Sequence, residues 1–161
     1  MREHGSILEH QELHMSNVLS FRKKMTQSVL QAEVTRVGQL VAESGHLPAG
    51  PTVTATYSVE QQVGGPVLDF EMLIPLDKPF TPPEGCVCKP VFKLTNAVSI
   101  RHIGNPAMLQ ETVSVLLAYL RQHAIQTVTP AYHVTVQDGI SVDTPDQVIV
   151  DIYIGANPNI L

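Results

Sequence analysis

Two carboxylates stand out as groups able to do chemistry. Glu71 and Asp151 each lie in the middle of an alternating apolar run, DFEMLI and IVDIYI. Alternation sends every second side chain to the same face. Glu71 therefore shares a face with Asp69 and Leu73, and Asp151 shares one with Ile149 and Tyr153. A carboxylate walled by apolar and aromatic groups suits a ligand that is cationic or donates hydrogen bonds. Burial there is expected to raise its pKa, which would also suit general acid or base work. The plainer alternative is that both carboxylates point to solvent from an uncovered antiparallel face. Tyr57 ends a further alternating run and either joins the core or lines the rim of a cleft. The candidate ligand-binding residues are thus Glu71, Asp151, Tyr153, Tyr57, Leu73 and Ile149.

Other reactive side chains offer less. His4, His10 and His14 lack a partner set that would complete a metal site, so a solvated lead-in is the better reading. Cys86 and Cys88 supply two ligands at most, and bridging residues this close in sequence is strained, so both are expected to be ordinary loop thiols. His102 precedes a turn whose backbone N–H groups could hold an anion. A satisfied structural role is the simpler expectation, with Asn105 capping those groups. No Ser-His-Asp or Cys-His arrangement, phosphate-cradling glycine loop or HExxH motif is present. No catalytic residue, metal or cofactor is expected.

Composition narrows the class. The chain has 161 residues, 43% of them hydrophobic, which suffices for a core without disulfide or metal. A net charge of −5 argues against a nucleic-acid surface, which needs clustered Lys and Arg. No apolar run is long enough to cross a membrane as a helix. The first residues are too polar for a signal peptide, and the expected compartment is the cytoplasm.

The elements that must position the carboxylates occur twice. Shifting the sequence by 79 residues brings Asn17, Ser20, Arg22, Leu30 and Gln31 onto Asn96, Ser99, Arg101, Leu109 and Gln110. Pro51 then meets Pro130 and Thr56 meets Thr135; one inserted residue later, Glu71 meets Asp151 and Ile74 meets Ile154. One register across four elements points to an internal repeat. Each copy reads β-α-β-β. Strands are expected over 13–25, 52–59 and 67–76, and again over 91–103, 131–136 and 147–154. In the 52–59 strand, Val53, Ala55, Tyr57 and Val59 share one side. The first helix begins at Thr26 as cap, carries Leu30, Val34, Val37 and Val41 as its stripe, and stops at Gly45. The second opens at Asn105 and Pro106, with Leu109, Val113, Leu116, Leu117, Leu120 and Ala124 as its stripe. Residues 77–90 are rich in proline and read as a linker. Turns are expected at Asp138 with Gly139 and over 144–146. The expected architecture is α+β: a lead-in over 1–12, and one domain over 13–156 made of repeats 13–76 and 91–156. A tail over 157–161 follows. Both helices would cover one face of an antiparallel sheet and leave the other open and concave.

Certain features resemble the GyrI-like (gyrase-inhibitor-like) superfamily, the effector-binding domains of bacterial multidrug-response regulators and their stand-alone relatives. They are the duplicated layout, Gly50 and Pro51 leading into a strand that ends at Tyr57, and the helix entry at Ile103, Gly104, Asn105 and Pro106. The acidic residue ahead of each closing strand end belongs with them. The resemblance implies a cleft for small, often cationic and aromatic molecules, with a buried carboxylate as counter-charge. That role would fall to Asp151, with Glu71 as its mate and Tyr57 and Tyr153 as wall. The chain departs from the family where a Glu and a Tyr usually follow the second helix, since His133, Val134, Thr135 and Val136 stand there. The segment before residue 13 is too short for a helix-turn-helix. The expectation is a stand-alone binding protein acting as sensor, carrier or sequestering agent, as monomer or homodimer. The competing readings are an adaptor that docks a protein partner, and a hydrolase of electrophilic small molecules in which Glu71 or Asp151 activates water.

Overall fold

Alternating apolar residues build long antiparallel ladders, and two apolar stripes of helical period cover them. The computed structural model describes residues 2–137 and 147–157. Its elements run β1 (Ile7–Thr26), α1 (Gln27–Glu43), β2 (Val53–Gln62), β3 (Gly65–Pro75) and β4 (Cys86–Gly104), then α2 (Leu109–Gln122), β5 (Thr127–Gln137) and β6 (Val148–Ala156). The fold is α+β, with the order β-α-β-β occurring twice. The residues gather into two compact units, His14–Phe92 and Met1–Leu13 with Lys93–Leu161. The chain passes between them inside β1 and again inside β4.

In the 14–92 unit, β3 pairs with β1 on one side and β2 on the other, both antiparallel. Leu19, Phe21, Met25, Met72 and Ile74 form a core with Leu30, Val37 and Val41 of α1. The other unit pairs β6 with β4 and β5 in the same way. There Val98, Ile100, Val150, Ile152 and Ile154 pack with Val113, Leu116 and Leu120 of α2. Each helix thus covers one face of its own strands. Strand alternation puts the carboxylate on the opposite face.

Several expectations need correction. β1 starts at Ile7, so half of the supposed lead-in is strand. β4 starts at Cys86, inside the supposed linker, because Cys86 packs on the apolar core of its unit. Both cysteines are free and half-buried on a strand, and burial raises the Cys86 thiol pKa. Thr26 precedes α1 in an extended conformation, but its hydroxyl caps no backbone N–H. Leu117 is 42% exposed and Ala124 lies beyond the end of α2. Val59 is exposed, because the β2 register shifts between Thr56 and Ser58 and turns the rest of the strand over. The turns expected at Asp138 with Gly139 and over 144–146 lie outside the described residues. No described helix is long and apolar enough to cross a membrane.

The helix ends yield a stability test. α1 is followed by Gly45 at φ 79°, and α2 by Ala124 at φ 53°. The Ile125 N–H reaches back to the Leu120 carbonyl at 2.9 Å, closing a left-handed cap on α2. Glycine adopts this conformation without the Cβ clash that alanine suffers. Ala124→Gly should therefore stabilise the protein by about 0.5–1 kcal/mol, and Gly45→Ala should destabilise it by about the same amount. Urea midpoints shifting in opposite directions would bear this out.

Candidate functional site

Glu71 is 2% exposed, yet it is a charged group with three side-chain donors. Ser20 Oγ donates to Oε2 at 2.6 Å, Lys89 Nζ donates to the same oxygen at 2.9 Å, and Tyr57 Oη donates to Oε1 at 2.6 Å. Strand geometry explains two of these donors. Ser20 and Glu71 point to the same face of paired strands, with Arg22 directly opposite Glu71 in the ladder. Ala55 lies opposite Glu71 on β2, and Tyr57 is the extra residue where the register slips. A bulge of this kind re-aims a side chain, and here the phenol reaches the carboxylate.

A second layer holds Tyr57. The guanidinium carbon of Arg22 lies 3.5 Å from the centroid of its ring. Arg22 is gripped in turn by Asp69, Nε to Oδ1 at 3.0 Å and Nη2 to Oδ2 at 2.9 Å. That fork raises the Arg22 pKa and lowers that of Asp69. Asp69, Arg22, Tyr57 and Glu71 form one connected chain. Leu73, two residues along from Glu71, is fully buried opposite Val53.

The expected rise of the Glu71 pKa does not occur. Burial pushes it upward, but the hydrogen bonds from Ser20, Tyr57 and Lys89 outweigh burial and hold it below the ordinary value. A depressed carboxyl pKa contributes stability above the unfolded value, about pH 4.3, and that stability is lost as pH falls through the folded value. Glu71 is thus an ionised acceptor at neutral pH.

Asp151 belongs to a different set. Arg101, its direct partner across the β4–β6 ladder, grips it with Nε to Oδ1 at 2.7 Å and Nη2 to Oδ2 at 2.8 Å. Arg2 Nη1 lies 3.7 Å from Oδ1, and Arg2 Nη2 donates to Ser99 Oγ at 3.1 Å. Two guanidinium groups therefore share one carboxylate. Tyr153 lies opposite Ser99 on the same face, half-buried, and burial raises its pKa, with the Asp151 charge adding to the effect. Ile149 is half-buried opposite Ile103. The six expected residues thus form two groups, Glu71 with Tyr57 and Leu73, and Asp151 with Tyr153 and Ile149.

His102 is 1% exposed and satisfied. Its Nε2–H donates to the Asn105 carbonyl at 3.0 Å, which leaves Nδ1 to accept from the Thr112 hydroxyl at 2.7 Å. Asn105 caps the short 3-10 turn Pro106–Met108, its Oδ1 accepting from the Ala107 N–H at 2.8 Å. His4 is exposed, and its Nδ1 accepts from the Ile103 N–H at 3.0 Å. The described residues contain no cluster of three or more metal-ligating side chains. A cleft of about 470 Å³, with Glu9, His10, Asn96, His123, Val98 and Ile125 in its mixed wall, lies in the same unit as Asp151.

The sequence reading missed Lys89, Arg2 and Asp69 as partners. Lys89 and Arg2 fell in stretches read as linker and lead-in. Asp69 was legible, since it shares a face with Glu71 and alternates one step behind it.

No protein-family model matches the chain, and no curated protein sequence matches it. Solved structures do. The EcmrR C-terminal domain superposes with a TM-score of 0.73 at 16% identity, covering 94% of this chain and 96% of that one. The chain thus shares the fold of the EcmrR C-terminal domain. EcmrR within its DNA complex gives a TM-score of 0.74 at 13% identity, and there the match covers 94% of this chain but 56% of the EcmrR chain. An uncharacterized conserved protein from Listeria innocua also shares the fold, at a TM-score of 0.58 and 9% identity, covering 92% of this chain and 93% of that one.

Proposed function

We propose that the chain is a small-molecule-binding protein, and that the Glu71 carboxylate is the counter-charge for a cationic, aromatic or donor-bearing ligand. The observation that carries this reading is a carboxylate buried to 2% exposure, kept ionised, and fixed by three side-chain donors. Small-molecule sites place a few polar groups in otherwise apolar walls, and Leu73 and Tyr57 supply such surroundings. Sensor, carrier and sequestering roles all follow from binding of this kind.

The same geometry favours binding over hydrolysis. A general base needs a free lone pair and a pKa near the working pH. Glu71 is depressed and triply bonded, and Asp151 has both oxygens engaged by Arg101. An adaptor role is the second reading. It is favoured by the cleft beside Glu9, His123 and Ile125, whose mixed polar and apolar wall suits a partner segment.

The reading includes an internal duplication. Arg22 opposes Glu71 as Arg101 opposes Asp151, and Ala55 opposes Glu71 as Val134 opposes Asp151. Even the slip in register recurs, between Thr56 and Ser58 in one copy and between Thr135 and Gln137 in the other. The offset of 79 or 80 residues seen in the sequence holds at each of these pairs. The bulged residue is Tyr57 in one copy and Val136 in the other, so only the Glu71 copy carries a phenol donor there. That difference is the reason for placing the ligand's counter-charge at Glu71 rather than Asp151.

The test is equilibrium binding of 1-methylquinolinium, with neutral 1-methylnaphthalene as the control. The wild type should bind the cation in preference. Glu71→Gln should weaken that binding about a hundredfold, the loss of one Coulombic partner in a partly desolvated site. Equal affinity of wild type and Glu71→Gln for the cation would reject the site.

A further inference from the structure

Glu71 already holds a cation, the ammonium group of Lys89. We propose that Lys89 is the specificity-determining residue of the site, a resident cation that an incoming ligand must displace. This rests on the reading of Glu71 as the ligand's counter-charge and adds to it the rule by which ligands are admitted.

The three donors to Glu71 differ in their freedom to leave. Ser20 is 4% exposed on β1, and its hydroxyl has little room to move. Tyr57 is pinned beneath Arg22, which Asp69 grips at two points. Lys89 has a side chain 37% exposed, a single contact at 2.9 Å, and a Phe92 ring whose centroid lies 6.0 Å from Nζ, at the margin of a cation–π interaction. A lysine stem is flexible and its ammonium is strongly hydrated. Of the three donors, Lys89 is the one that can swing into water while the other two stay in place.

Binding is then an exchange. The ligand's cation takes the position near Oε2 as the Lys89 ammonium returns to solvent. Ser20 and Tyr57 keep their bonds to the carboxylate throughout. At no point does the buried anion stand without a cation, which is the state that would cost most. The charge of the site is conserved, so the reaction is open to a monocation and closed to a neutral molecule of the same shape.

Tethering turns this exchange into a filter. A side chain bound to its own backbone competes at an effective concentration on the order of millimolar or higher. A small alkylammonium offers the carboxylate nothing that Lys89 lacks and loses that competition. A cation with an aromatic surface adds apolar burial and ring contacts, and so can win. Lys89 would thereby reject simple amines and admit larger aromatic cations. The Arg101–Asp151 pair cannot exchange in this way, because Arg101 holds Asp151 through two bonds.

The experiment compares wild type, Lys89→Met, Lys89→Arg and Glu71→Gln, each titrated calorimetrically with 1-methylquinolinium and with methylammonium. Thermal unfolding of each variant confirms that it is folded, and Lys89→Arg keeps the charge should Lys89→Met be impaired. Removing the resident cation should tighten 1-methylquinolinium binding at least tenfold in Lys89→Met, as when a competing state is removed. Methylammonium binding should become measurable in that variant only. Lys89→Arg, with a fork able to grip the carboxylate at two points, should bind the quinolinium no better than wild type. Unchanged or weaker binding by Lys89→Met, alongside loss of binding in Glu71→Gln, overturns the Lys89 proposal and leaves the Glu71 site standing. Absence of binding in wild type and Lys89→Met alike, or full binding by Glu71→Gln, overturns the site itself and the proposal with it.

Discussion

Asp151→Ala is expected to lower the unfolding free energy by about 3 kcal/mol or more, the cost of removing one partner from a largely buried ion pair. The side chains of Arg101 and Asp151 are 16% and 8% exposed, so solvent screens the pair poorly. Arg2 lies 3.7 Å from the same carboxylate oxygen. Without Asp151, two guanidinium groups converge on a position that no longer carries negative charge, so repulsion adds to the lost hydrogen bonds. The loss should be largely reversed when the ionic groups go together, because replacing a buried ion pair by apolar residues is often neutral. Urea unfolding of Asp151→Ala, Arg101→Leu and the Asp151→Leu, Arg101→Leu pair measures this directly. If the single and double variants lose the same stability as one another, or none, the pair is not coupled as its geometry implies. Asp151→Asn should fall between, since it keeps the shape and one acceptor oxygen but gives up the charge.

How much of this was legible in the sequence depended on the range over which each signal acts. Helix stripes and strand alternation are local, and they placed Leu30, Val37, Val113 and Leu116 in the core correctly. The β-α-β-β order was legible in both halves, because strand alternation and helix stripes follow one another in that order. Element starts were less so. Prolines at 79, 82, 83 and 90 made 77–90 look like linker, yet β4 begins at Cys86, held by contacts with an apolar core that no local pattern reveals. The partners of the two carboxylates were hidden for the same reason. Glu71 was singled out, but its pKa was expected to rise, because burial can be read from neighbouring apolar residues while a donor 18 positions away, Lys89, cannot. Likewise the bulge at Tyr57 is a matter of pairing, and a strand read alone does not disclose it.

Leu116→Ala should cost roughly 2–5 kcal/mol, the range for truncating a leucine in a packed interior. Leu116 is fully buried and packs in the cluster of Ile100, Ile152 and Ile154, on the α2 face turned to the strands. Removal of three carbons there forfeits their transfer free energy and leaves a cavity that β-branched neighbours fill poorly. Leu117 supplies the control. It is the next residue on the helix, about 100° further round, and it is 42% exposed. The sequence stripe had included both leucines, since a run of apolar residues at 113–120 cannot by itself separate the core face from its flank. Leu117→Ala should change stability by at most about 0.5–1 kcal/mol, as is usual for a side chain that keeps much of its contact with water. Parallel urea titrations of the two variants should therefore separate their midpoints widely, with unfolding slopes unchanged if the compactness of both end states is preserved. Equal losses from the two substitutions would show that α2 is rotated relative to its strands. The Ile100 and Ile152 contacts assigned to Leu116 would then have to be redrawn.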